Sequence, residues 1–249
     1  MNQYKTAEIA KIIGIHVNTV RLYESCGFIS KPRRLQNGYR VFTKCHIEQF
    51  RLARAALRAE VLQNGLRKQA VNIIKAAALG EYRQADELTR RYIAQVEAEK
   101  ENAEEAIQIA RQILSGLEGE NGDAGVSFTR KEAADFLRVT IDTLRNWELN
   151  GLFTIKRKKN GYRVYTGSDL QRLKIIRSLR CANYSLASIL RMLSALSADP
   201  AADIREVIDT PGEGDDIITA CDKLLTSLEQ ARENALFVAG QIEKLKNME

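Results

Sequence analysis

At 249 residues, with 45% hydrophobic and 28% charged residues, the chain has the balance of one large or two ordinary globular domains, not that of a disordered polymer. No apolar run approaches the ~20 residues that span a bilayer, and the opening MNQYKTAEIAK lacks the apolar core of a secretory signal, so a cytoplasmic location is expected. The net charge of +6 hides alternating blocks: Lys and Arg against Asp and Glu run 14 to 4 over 1–79, 5 to 11 over 80–125, 14 to 5 over 126–198 and 5 to 12 over 199–249. Compact basic blocks are the footprint of a polyanion binder, with a merely solvated basic face as the plain alternative.

Three prolines, 6% aromatics and much Ala, Leu, Glu and Lys predict a mostly helical fold. In the first basic block, apolar residues at 9, 12 and 13 predict a short amphipathic helix, broken at Gly14-Ile15. A second short helix is expected over 17–25, with His16 a poor N-cap and Gly27 suited to a left-handed exit. Two short helices around a tight turn are a helix-turn-helix, whose second helix enters the major groove by its N-terminal residues. That puts Val17, Asn18, Thr19, Arg21 and Tyr23 at a duplex. In SKPRRLQNGYRVF, Asn-Gly between basic and aromatic residues predicts a β-hairpin wing. Arg33, Tyr39 and Arg40 would meet backbone phosphate, although Tyr39 is as well suited to packing beneath the hairpin. The acidic block then carries a heptad: Ile93, Val96, Lys100, Ala103, Ile107, Ala110, Leu114 and Leu117, a coiled-coil seam about 36 Å long.

From 126 the pattern starts again. FTRKEAADFLRVTIDTLRNWELNGLF (128–153) lies over YKTAEIAKIIGIHVNTVRLYESCGFI (4–29) without a gap, and NGYRVYT (160–166) repeats NGYRVFT (37–43). This is an internal duplication. Thr129 and Glu132 form a capping box that the first copy lacks, and Thr140 is a good N-cap for a helix over 141–149. The second DNA-facing set is Ile141, Asp142, Thr143, Arg145 and Trp147, with Lys156, Tyr162 and Arg163 from the wing. Asn18 can pair with adenine; Asp142 can only accept, for instance from cytosine N4, or it supports the helix N-terminus. A second heptad runs Cys221, Leu224, Leu228, Ala231, Ala235, Val238, Ile242, Leu245. Cys26, Cys45, Cys181 and Cys221 lack metal-ligand spacing and read as small hydrophobes; no metal, cofactor or catalytic constellation is expected.

T-x-R-x-(Y/W)-E followed by a basic stretch and NGYR resembles the MerR family of bacterial transcription regulators, as do NGLRKQAVNIIKAA (64–77) and ANYSLASILRML (182–193), where that family has a second helix pair. The resemblance implies long helices that pair antiparallel and set two DNA-binding domains in adjacent grooves. The expected fold is therefore mostly α: a winged helix-turn-helix at 1–79, a coiled-coil helix at 80–118, a linker at 119–125, a second winged domain at 126–198, a connector at 199–214 and a second coil helix at 215–249. The chain would act as a single-chain pseudo-dimer, with further homodimerisation open, on double-stranded DNA, with RNA polymerase as a further candidate partner and a bacterial, nucleoid-associated location. A DNA-bending accessory factor of a mobile element and a small-molecule-sequestering protein are the competing readings; an enzyme is not expected.

Overall fold

The structure, a computed structural model, describes residues 3–58, 65–119, 127–155, 163–211 and 219–248. These form eleven α-helices and one two-stranded sheet, the mostly α architecture expected. They divide into two compact units, Met1–Ala98 with Ser227–Glu249, and Glu99–Thr226. Helices α5 (Tyr82–Gly119) and α11 (Leu224–Lys246) contribute to both.

In the first unit, α1 (Thr6–Ile13) starts with the Glu8 carboxylate accepting the Lys5 N–H at 2.6 Å, so half of a capping box is present where none was expected. Gly14, at φ 70°, ends α1. Helix α2 (Val17–Ser25) has His16 as a working N-cap: its Nδ1 accepts the Asn18 N–H at 3.2 Å, contrary to the sequence reading. Strands β1 (Arg33–Arg34) and β2 (Arg40–Val41) pair antiparallel around a turn in which Gly38 takes φ 79°, and Tyr4 bonds Phe42 in both directions at 2.9 Å. Helices α3 (Lys44–Arg58) and α4 (Leu66–Ala78) pack on each other, and α1 packs on α2 and α3. Ile9, Val20, Ile29, Phe42, Ile47 and Phe50 form the core; Tyr23 stacks on Phe50 with ring centres 5.5 Å apart.

Val96 of α5 and Leu228, Ala231, Ala235, Val238, Ile242 and Leu245 of α11 are buried, whereas Ile93 is only half-buried and its neighbour Tyr92 takes the inward position. Arg232 donates to Glu97 at 3.1 Å. Glu48, buried on α3, accepts from Arg51 at 3.0 Å and from Lys244 of α11 at 2.9 Å.

The second unit repeats the plan with α6 (Arg130–Leu137), α7 (Ile141–Leu149), α8 (Gly167–Cys181) and α9 (Leu186–Ala198). Thr129 and Glu132 close the expected box, and Thr140 accepts the Thr143 N–H at 3.0 Å. Phe128 and Tyr165 bond in both directions, as Tyr4 and Phe42 do. Leu144, Leu152, Tyr165, Leu173, Ile176 and Tyr184 lie in its core. Ala103, Ile107 and Ala110 are buried and Leu114 half-buried; the Leu117 side chain and linker residues 120–125 lie outside the described residues.

The stretch read as a connector contains a helix, α10 (Ile204–Asp209), which buries Ile204 and Ile208 against α9. Arg191 of α9 donates to the carbonyls of Val207, Ile208 and Asp222 at 3.0, 3.2 and 2.9 Å. Asp209 accepts the N–H groups of Leu225 and Thr226 at 2.7 and 3.1 Å, which caps α11. Cys221 therefore does not begin the second seam: it lies in a 3-10 turn, Ala220–Asp222, whose Asp222 accepts from Ser185 and Thr219, and the helix starts at Leu224.

Candidate nucleic-acid interface

Helices α2 and α7 occupy the second position of each helix-turn-helix, and each presents its first turn to solvent. Asn18 and Arg21 are exposed on α2; Ile141, Asp142 and Arg145 are exposed on α7, with Thr19 and Thr143 half-covered and Val17 likewise. Among the described residues, neither Arg21 nor Arg145 engages a carboxylate. Two guanidinium groups thus stand free at the same place in each copy. The helix dipole adds positive potential at each first turn.

The wing arginines behave differently from expectation. Arg40 donates through Nε to Glu24, which also receives Arg34 at 3.5 Å. Arg163 donates to Glu148 at 2.9 Å, and Arg130 reaches the same carboxylate at 3.0 Å. The glutamate of T-x-R-x-(Y/W)-E and the arginine of NGYR are therefore two ends of one brace. It ties Arg40 of the first hairpin to α2 and Arg163 to α7, through charge-assisted bonds in a partly dry setting. In the sequence these glutamates stand only as the last residue of the shared motif, because the brace joins residues that are 16 and 15 positions apart.

Tyr39 projects from the hairpin tip, 70% exposed, and Arg33 is exposed beside it. Tyr23 is half-buried, and burial pushes its phenol up despite the opposing charges of Arg54 and Arg67, so it stays a neutral donor. Trp147 is only 4% exposed; its indole belongs to the core of the second unit, which leaves little of it for a phosphate. Lys156 and Tyr162 lie outside the described residues. His46 is absorbed by structure: its Nδ1 accepts the Thr43 N–H at 3.0 Å at the start of α3, and burial holds its pKa below the ordinary 6.5. Its counterpart Asp169 plays the same part for Thr166. None of the four cysteines forms a disulfide, and among the described residues no three His, Cys, Asp or Glu side chains come together as metal ligands. Nor is any described helix long and apolar enough to cross a membrane.

One part of the second unit was not foreseen. Arg138, Arg177 and Arg180 converge with Thr140, Thr143 and Asn146 on an open concavity of about 570 Å³ between α7 and α8.

Residues 5–42 match the model of the MerR family regulatory proteins, and residues 128–196 match that of the MerR HTH family regulatory proteins. The HTH-type transcriptional regulator ZntR of Escherichia coli K12 is 44% identical over 70 residues, 28% of this chain and 49% of that protein. The HTH-type transcriptional regulator CueR of Escherichia coli O6:H1 is 38% identical over 50 residues, 20% of this chain and 37% of that protein. The chain thus spans about half the length, or less, of these curated relatives, and no solved structure matches it significantly. The two matches fall on the two basic blocks that carry the braced helix-turn-helix units: the chain holds two MerR-type domains in tandem.

Proposed function

We propose that the chain is a sequence-specific, double-stranded DNA-binding transcription regulator that reads two unlike half-sites. The observation that carries this reading is the pair of recognition helices with one shared and one divergent feature. Arg21 and Arg145, at equivalent positions, engage no carboxylate among the described residues and suit phosphate or guanine, while Asn18 is replaced by Asp142 at the base-facing turn. An amide that donates and accepts, and a carboxylate that only accepts, cannot prefer the same base edge. In this reading Arg33 and Tyr39 meet the backbone, with Lys156 and Tyr162 as their counterparts, while Arg40 and Arg163 hold the brace. Domain limits near 79 and 198 accord with the repeat.

The long helices α5 and α11 would pair antiparallel, making one chain a pseudo-dimer. Burial at every second-seam position from Leu224 to Leu245, and the Arg232–Glu97 ion pair, support that pairing. Enzymatic activity has no part in this proposal, and a cytoplasmic, DNA-associated location goes with it.

Selecting bound duplexes from a random pool at physiological salt tests the reading. Two unlike half-sites at a fixed spacing are expected. A perfect inverted repeat would assign recognition to one copy and dimerisation to the chain, and no enrichment would remove the regulator reading.

A further inference from the structure

Arg138 sits in the left-handed region, φ 51° and ψ 47°, at the end of α6. The equivalent residue of the first copy is Gly14, at φ 70°. A long side chain there is strained relative to glycine, and such strain clusters at functional sites. Arg138 does not offset the strain through a side-chain bond to any described residue. Its side chain instead lines the concavity beside α7, together with Arg177 and Arg180 of α8. Arg180 gives one donor to the Tyr184 carbonyl, and Arg177 makes no hydrogen bond or ion pair with a described residue. Thr140 and Thr143 add hydroxyls to the wall, and the first turn of the nine-residue α7 opens into it. Asp142 is the one carboxylate on the lining, against three guanidinium groups.

The first copy is built differently at these positions. Arg54, the counterpart of Arg177, donates to the carbonyls of Ile13 and Gly14 at 2.8 and 3.2 Å, so it caps the end of α1. Leu57 stands where Arg180 does, and Arg58 where Cys181 does. Three arginines facing one hollow, one of them held in a strained backbone, are specific to the second copy.

We infer that this hollow is a phosphodiester-binding site that anchors the backbone of the duplex under the second domain, an anchor absent from the first. The inference rests on the DNA-binding reading above. Guanidinium forks and helix N–H groups suit phosphate oxygens, and each phosphate they neutralise releases about one counterion from the duplex.

The test is the salt dependence of affinity for a mixed-sequence duplex, comparing the wild-type chain with Arg138→Gly, with Arg177→Gln/Arg180→Gln and with Arg177→Lys/Arg180→Lys. The slope of log K against log salt should shrink by about 0.9 for every phosphate left unneutralised: about 0.9 for the first variant, about 1.8 for the second, and little for the third. Half-site preference should not change. Arg138→Gly should also melt at a higher temperature, so its weaker binding cannot come from unfolding. Trp147, the only tryptophan, lines the hollow and reports its occupancy by fluorescence. A wild-type slope in all three variants would overturn the inference while leaving DNA binding intact. Quenching of Trp147 by inorganic pyrophosphate, with those unchanged slopes, would reassign the hollow to a free anion. A wild-type chain that binds no duplex would remove both readings, and that result is distinct because the loss precedes any substitution.

Discussion

The two copies share a plan and differ in how they are held. Between α4 and α5 the first copy has only residues 79–81, so its domain runs almost directly into the long helix. Between α9 and α11 the second copy has residues 199–223, with α10 and a 3-10 turn inside. The first solution needs no clamp. The second uses Arg191 to hold three backbone carbonyls, Asp222 to cap the 3-10 turn and Asp209 to cap α11. A short covalent join is stiff by construction, whereas a longer one must be made stiff by buried hydrogen bonds, each costly to leave unmade.

The largest effect that separates the copies should come from that clamp. Arg191→Ala leaves three carbonyls without their donor and should destabilise the second unit by about 3 kcal/mol. Chemical denaturation followed by Trp147 emission reads that unit alone, since it contains the chain's one tryptophan. Equal loss in a probe of the first unit would break the comparison.

Next in size is the brace. Glu148→Ala strands two partly buried arginines and should cost about 2–3 kcal/mol; Glu24→Ala should cost about 1–2, because Arg34 is 54% exposed and sits at 3.5 Å. Both variants should weaken duplex binding by loosening the wing. Equal costs measured by denaturant midpoint would show that Arg130 adds nothing.

Arg138→Gly should stabilise the second unit by about 1 kcal/mol, whereas Gly14→Arg should destabilise the first by a similar amount, since φ 70° disfavours any side chain although the space is open. Thermal melts of the pair sharpen the contrast from both sides.

The smallest effect is a pH dependence confined to the first unit. The His46 pKa is lowered on folding by burial, so its neutral form is favoured. The stability it contributes is present above the ordinary 6.5 and is lost as pH falls through the lower folded value. His46→Asp, which installs the residue found at 169, should remove that acid-side slope in urea titrations between neutral and mildly acidic pH.

Much of this architecture was legible in the chain. Apolar spacing with Gly27 and Gly151 located α2 and α7 to the residue, because glycine in the left-handed region is a local constraint. Heptad spacing marked the buried face of α11 from Leu224 onward, but extended it to Cys221, where Asp222 turns the backbone instead. Helix α10 was missed because six residues with two inward isoleucines carry too little periodicity to stand out. The candidate site divided in the same way. Exposed Arg21 and Arg145 could be read from helical phase, whereas Glu24, Glu148 and the convergence of Arg138 with Arg177 and Arg180 depend on tertiary approach, which no spacing rule encodes.

Asn18 and Asp142 are encoded by separate codons, and that has an evolutionary consequence. When two identical subunits read DNA, any substitution in the reading helix alters both halves of the target at once, and both half-operators must change together. In the proposed two-half-site reading, one half can drift while the other keeps its grip, so a new binding site is reachable through intermediates that never lose contact altogether.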